Sequence, residues 1–150
     1  MRLALFEPDQ AGNVGTIVRL AACLGVPLDI VEPCGFPFSD RALKRAAMDY
    51  AEIAAVTRHA TWAAFEARLP GRLVLFTTTG ALPLPEAQFD QRDTLLFGSE
   101  SRGAPEEVHA RADLRVRIPQ VDGTRSLNLA VAAGMGLSEA LRQTRLWPGS

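Results

Sequence analysis

Apolar positions along the chain fall into two alternating patterns. One is a short unbroken block of four to six residues bounded by Gly, Pro, Asp or Thr, which is the signature of a buried strand. The other is a longer stretch in which apolar residues recur every three or four positions, which is the signature of a helix with one face on a core. Blocks at 2–7, 28–31, 54–57, 73–77, 94–97 and 114–118 read as strands. Periodic stretches at 13–25, 39–47, 61–68, 105–110 and 126–145 read as helices. Within 13–25, Ile17, Val18, Leu20, Ala21 and Leu24 share the apolar side, and Gly25 ends the helix. Asn13, Ser39, Thr61 and Ser126 are the expected N-caps, and Pro105 belongs in a first turn. Residues 80–91 hold two prolines and no clear period, and read as a loop.

Strand and helix in alternation give an α/β fold with a mainly parallel sheet, here expected as one domain over 1–150. In such sheets ligands bind beyond the carboxyl ends of the strands. That rule directs attention to the segments after Glu7, Thr77, Phe97 and Ile118, each rich in Gly, Pro, Ser, Thr or Asn.

Composition narrows the partners. With 47% hydrophobic and 22% charged residues the chain has enough apolar material for a core without disulfide or metal staples. Cys23 and Cys34 are expected as reduced thiols. Two histidines and no Cys/His cluster speak against a zinc site, and no metal is expected. The opening residues are broken too soon by charge and proline for a signal peptide, and no apolar run approaches the ~20 residues of a membrane helix, so a cytoplasmic protein is expected. A net charge of −1 argues against binding to nucleic acid by bulk attraction but leaves room for a local patch, although from charge alone the cluster of Arg41, Lys44 and Arg45 reads as a solvated face.

Three segments carry candidate chemistry. The first opens a helix with Asn13-Val14-Gly15-Thr16 and continues to Arg19, which sits among apolar neighbours two turns in. It lacks the G-x-G-x-x-G of a dinucleotide site. The second runs from a strand through Gly98-Ser99-Glu100-Ser101-Arg102-Gly103 into Pro105, with a carboxylate able to order an amine or a guanidinium. The third is Ile118-Pro119-Gln120, a loop, and then Ser126-Leu127-Asn128 at a helix start. Capping accounts for Ser126 but leaves Asn128 unexplained. Small residues Ala130, Ala132, Ala133, Gly134 and Gly136 suggest that the last helix packs closely on another.

Together these segments resemble the SPOUT methyltransferases, and most closely the small subfamily that methylates the wobble ribose of leucine tRNAs. The likeness extends over nearly the whole chain and includes Val31-Glu32-Pro33-Cys34-Gly35-Phe36, Lys44-Arg45-Ala46-Ala47-Met48-Asp49-Tyr50 and Val56-Thr57-Arg58-His59. The resemblance implies a parallel sheet with a C-terminal trefoil knot, and S-adenosylmethionine held at Phe76, Thr77, Gly98, Ile118, Ser126 and Leu127. It implies a homodimer in which the Asn13 and Arg19 segment of one subunit faces the cofactor of the other. It further implies an RNA surface at Arg41, Lys44, Arg45 and Tyr50, fitted to a tRNA anticodon stem-loop. The chain departs from the family pattern at Thr16, at Thr79 and in the Ser99 and Ser101 flanks of Glu100.

The implied reaction is 2′-O-methylation of the wobble nucleotide, C or U. The family assigns Arg19 the role of base, yet a guanidinium is effectively always protonated and is equally suited to clamping a phosphate. Asn13 is expected to position Arg19 or the ribose, Glu100 to hold Arg19 or a backbone N–H, and Asn128 to order the cofactor loop. Two other readings remain at this stage: the same chemistry on another RNA such as ribosomal RNA, and a non-catalytic RNA-binding protein of the same fold.

Overall fold

A computed structural model describes residues 1–47, 50, 52–79 and 81–149. Met48 and Asp49 of the expected RNA-facing stretch lie outside the described residues, as does Gly80, where the expected loop begins. The described strands are β1 (Arg2–Phe6), β2 (Leu28–Val31), β3 (Val56–His59), β4 (Leu73–Phe76), β5 (Leu82–Pro83), β6 (Thr94–Phe97) and β7 (Leu114–Arg117). The helices are α1 (Ala11–Leu24), α2 (Asp40–Ala47), α3 (Trp62–Glu66), α4 (Glu106–Arg111) and α5 (Leu129–Thr144).

All strand pairs are parallel, in the order β3-β2-β1-β6-β4-β7-β5. Every residue of β2, β4 and β6 is buried, because helices cover both faces of the sheet. Alternation along the strands divides the core. Leu3, Leu5, Ile30, Val74, Leu95 and Phe97 face Ile17, Val18, Leu137 and Leu141 of α1 and α5. Ala4, Phe6, Val31, Leu75 and Leu96 face Phe65 of α3 and Val108 of α4. Asp29 interrupts the apolar run of β2 and is compensated by Arg2 at 2.7 Å and by His59 at 2.8 Å.

Several expected boundaries move, each for a local reason. Helix α1 starts at Ala11, capped by Gln10 without a side-chain hydrogen bond, so Asn13 lies inside the first turn rather than capping it. Its end is as expected: Gly25 takes φ +64°, and its N–H returns to Ala21 and Ala22 carbonyls. Ser39 and Thr61 cap α2 and α3, accepting the N–H of Ala42 and Ala64 at 3.1 Å each. Pro105 precedes α4 as its cap instead of entering its first turn. Helix α5 begins three residues later than expected. Its cap is Asn128, whose Oδ1 accepts from Ala130 and Val131 N–H, so Ser126 belongs to the loop.

The expected loop contains β5 and a 3-10 turn at Leu84–Glu86. Strand β5 exists through its pairing with β7, a contact that local periodicity does not report. The small residues of α5 serve the sheet as well as α1. A Cβ on Gly136 would lie 2.6 Å from the tip of the Phe76 ring, so only glycine lets α5 settle on the end of β4.

Candidate active site

A cleft of about 600 Å³ opens at the carboxyl ends of β4, β6 and β7, against the start of α5. The strand order explains its place, since these three strands are neighbours and their following loops converge. Phe76, Phe97, Val116 and Leu129 supply apolar lining; Thr77, Ser99, Gln120 and Ser126 supply polar groups. Phe76 and Phe97 stack with centroids 4.6 Å apart, and Phe76 rests on Gly136 beneath.

The three candidate segments meet here. Asn128 Nδ2 donates to Asn13 Oδ1 at 3.0 Å, and Asn13 Nδ2 donates to Glu100 Oε2 at 3.4 Å. The other Glu100 oxygen accepts the Asp9 N–H at 3.2 Å. One hydrogen-bonded chain therefore runs from the cap of α5 through the first turn of α1 to the turn after β6. Asn128 has two tasks, since its oxygen caps α5 while its amide N–H₂ holds Asn13. Glu100 binds Asn13 and a backbone N–H, and among the described residues it makes no ion pair with Arg19.

The turn after β6 depends on two glycines in different ways. Gly103 takes φ +66°, which a side chain resists. Gly98 is needed for close approach: a Cβ there would stand 2.5 Å from the Gly103 carbonyl carbon and 2.7 Å from the Ala104 nitrogen. Ser99 and Gly103 exchange backbone hydrogen bonds at 3.1 and 2.8 Å across this narrow turn. Asp9 staples it from outside. Asp9 Oδ2 accepts from Ser99 Oγ at 3.0 Å, from the Ser101 N–H at 3.2 Å and from the Ser101 hydroxyl. The Ser101 hydroxyl, above all, holds the Asp9 carboxyl below its ordinary value of 3.8. Gly35 lies against Asp9 from the other side, with a hypothetical Cβ 2.4 Å from the Asp9 Cβ.

Phe76, Thr77, Gly98, Ile118, Ser126 and Leu127 all line the cleft, together with Asn13, Glu100 and Asn128. Arg19, Arg41, Lys44, Arg45 and Tyr50 do not. Arg19 is exposed on α1, with its guanidinium carbon 5.1 Å above the centre of the Tyr50 ring. Arg41, Lys44 and Arg45 are exposed on α2, which packs against α1, so Arg19 and the basic stretch occupy one side of the molecule. Thr16 returns its hydroxyl to the Gly12 carbonyl at 3.0 Å, and Thr79 sits in the cleft wall. Asp9, Gln10 and His109 belong to the site but were not singled out by sequence. Asp9 lies just past β1, which ends at Phe6, in the segment after Glu7 that the strand-end rule points to, and that rule was the one available signal.

Among the described residues no group of His, Cys, Asp and Glu is arranged to hold a metal ion, and no helix is long and apolar enough to cross a membrane. An apolar floor with a polar rim, in a cleft of this volume, fits a ligand with a flat ring and a charged tail, as S-adenosylmethionine has.

Comparison with known proteins agrees with this geometry. A tRNA (cytidine(34)-2′-O)-methyltransferase of Ancylobacter novellus is 52% identical over 147 residues, covering 96% of this chain and 93% of its own length. Its counterpart in Escherichia coli K12 is 40% identical, covering 100% of this chain and 97% of its own. A solved structure concerned with 2-OH methylation of C/U34 on tRNA superposes with a TM-score of 0.88 at 45% identity, over 95% of this chain and 94% of that one. The SpoU methyltransferase AviRb from Streptomyces viridochromogenes, solved in complex with AdoMet, matches with a TM-score of 0.81 at 26% identity, over 95% of this chain and 60% of its own. The model of the SpoU rRNA Methylase family matches residues 1–138, and the chain is a member of that family of S-adenosylmethionine-dependent RNA methyltransferases.

Proposed function

We propose that this protein methylates the ribose 2′-oxygen of the wobble nucleotide, C or U at position 34, in tRNA, with leucine tRNAs as its substrates. The observation that carries the reading is the convergence of three separate segments on one cleft, joined by the Asn128–Asn13–Glu100 chain. The names of the full-length relatives support the choice of nucleotide.

When bound, S-adenosylmethionine supplies an electrophilic methyl group on a sulfonium. The protein's own work is then alignment, water exclusion and charge placement. Phe76, Thr77, Gly98, Ile118, Ser126 and Leu127 line the cleft that would hold the cofactor. Asn13, fixed by three side chains, is placed to orient the ribose. Arg19 is outside the cleft of its own protomer, and we assign it to the cleft of a partner in a homodimer. There its planar fork would grip the phosphate beside the target ribose. Val131 and Met135, one helical turn apart on α5, together with Leu127, are large apolar residues left exposed, and support a two-fold interface at this end of the molecule. Arg41, Lys44, Arg45 and Tyr50 would then meet the anticodon stem-loop. We also infer that the chain threads the family's trefoil knot and acts in the cytoplasm.

Mass-spectrometric mapping of 2′-O-methylated nucleotides tests this directly. tRNA from cells lacking the protein should lose the modification at position 34 of leucine tRNAs and regain it with the purified protein. Methylation confined to ribosomal RNA would instead favour the other reading.

A further inference from the structure

His109 is 9% exposed, lines the cleft, and has no part in the chemistry described above. Its ring spans two elements. Nδ1 lies 3.1 Å from the Pro105 carbonyl oxygen, at the head of its own helix α4, and Nε2 lies 2.8 Å from Thr77 Oγ, just past the end of β4. A carbonyl can only accept, so Nδ1 carries the proton. In the neutral ring Nε2 is then an acceptor, and the Thr77 hydroxyl donates to it. The same hydroxyl oxygen accepts the Thr79 N–H at 3.3 Å, and the Thr77 N–H donates to the Val116 carbonyl at 2.9 Å. Thr77, Thr78 and Thr79 form one wall of the cleft.

We propose that His109 is a positioning residue for cofactor binding: by accepting the Thr77 hydroxyl it fixes the 77–79 wall against α4. The proposal rests on the reading of this cleft as the S-adenosylmethionine site. A leucine at 109 fills much the same volume but accepts nothing. The Thr77 hydroxyl would lose its acceptor, and the turn it organises would lose one of its two ties. The effect should fall on cofactor affinity rather than on the transfer step, because His109 touches neither Asn13, Glu100 nor Asn128.

The test is calorimetric titration of S-adenosylmethionine into the full-length protein, paired with steady-state kinetics on tRNA. His109→Leu should weaken binding and raise KM for the cofactor by about tenfold, the scale of one lost hydrogen bond, while kcat and KM for tRNA stay within about twofold. His109→Gln, which offers an acceptor oxygen near the place of Nε2, should recover affinity to within about threefold of the wild type. Thr77→Val, which also deprives the Thr79 N–H of its acceptor, should lose at least as much as His109→Leu, and Thr77→Ser should lose little. In the double variant His109→Leu/Thr77→Val the losses should not add, because one interaction is removed twice. Wild-type affinity in His109→Leu, or full additivity in the double variant, would overturn the proposal. If His109→Leu does not fold, Thr77→Val decides, and undiminished affinity there overturns it. Ala132→Phe, placed to fill the cleft, separates the two levels of argument. Normal binding in that variant defeats the reading of the cleft and the proposal with it. Lost binding there beside normal binding in His109→Leu defeats the role of His109 alone.

Discussion

Asp9 does for the turn after β6 what no residue within that turn does. It gathers Ser99 Oγ, the Ser101 N–H and the Ser101 hydroxyl on one carboxylate oxygen. Asp9→Asn removes the charge and half of the acceptor capacity, and should lower stability by about 1 kcal/mol at neutral pH. The pH dependence has a definite sign. The Asp9 pKa in the folded protein is lowered, chiefly by the Ser101 hydroxyl, so its stabilisation is fully present above the ordinary value of 3.8 and fades as pH falls through the lower folded value. Melting curves of wild type and Asp9→Asn should therefore differ by a constant amount above about pH 5 and converge in strong acid. Gly98 shows where reading from sequence stops. In the sequence Gly98 stands out only as one of the cofactor positions that the family resemblance implies. The structure puts the missing Cβ against the Gly103 and Ala104 backbone. Gly98→Val should deform the turn, and denaturant unfolding should show a loss of about 2 kcal/mol together with the loss of cofactor binding.

The elements differ in how legible they were. Buried parallel strands advertise themselves as unbroken apolar blocks, and β2 and β6 match their expected limits residue for residue. Two helix starts did not. Gln10 caps α1 with no side-chain bond, so the sequence offers nothing to mark it, and Asn13 attracted the assignment. Ser126 and Asn128 are both good caps on paper. Asn128 takes the role because its remaining N–H₂ is bonded by Asn13, 115 positions away, a tertiary fact invisible to local pattern. Strand β5 is two residues long and exists through β7. The candidate site was legible where motifs cluster, at residues 98–103 and 126–128, and illegible where a single residue arrives from elsewhere, as His109 and Asp9 do. Gly136 joins element to site. Replacing it with alanine gains about 1 kcal/mol of helix propensity but drives a methyl into the Phe76 ring, at a typical cost of 1–3 kcal/mol. The expected net effect is a loss of about 1 kcal/mol in urea unfolding. Cofactor affinity should fall with it, because the displaced ring is part of the cleft lining.

At the scale of the whole molecule, the residues to which the proposed reaction gives roles lie on two sides of the chain. The cleft gathers Asn13, Glu100 and Asn128, while Arg19 is exposed and stacked on Tyr50 beside the basic helix α2. A homodimer would reunite them if Arg19 reaches across the two-fold axis. Arg19→Lys should leave cofactor binding intact, since Arg19 lines no part of the cleft, and should reduce single-turnover methyl transfer by at least roughly a hundredfold if the guanidinium acts through its planar fork. Near-normal turnover with lysine would show that charge alone suffices. Subunit mixing then tests the division itself. Arg19→Lys retains its cleft and Ala132→Phe retains its arginine, so each homodimer should be inactive. After equal amounts are unfolded together and refolded, half of the dimers should be mixed, and each would contain one intact cleft. If the arginine serves the partner's cleft, that cleft faces a wild-type Arg19 and the mixture regains about a quarter of wild-type activity. If the arginine serves its own cleft, no subunit in the mixture is complete and activity stays at the background of the separate variants.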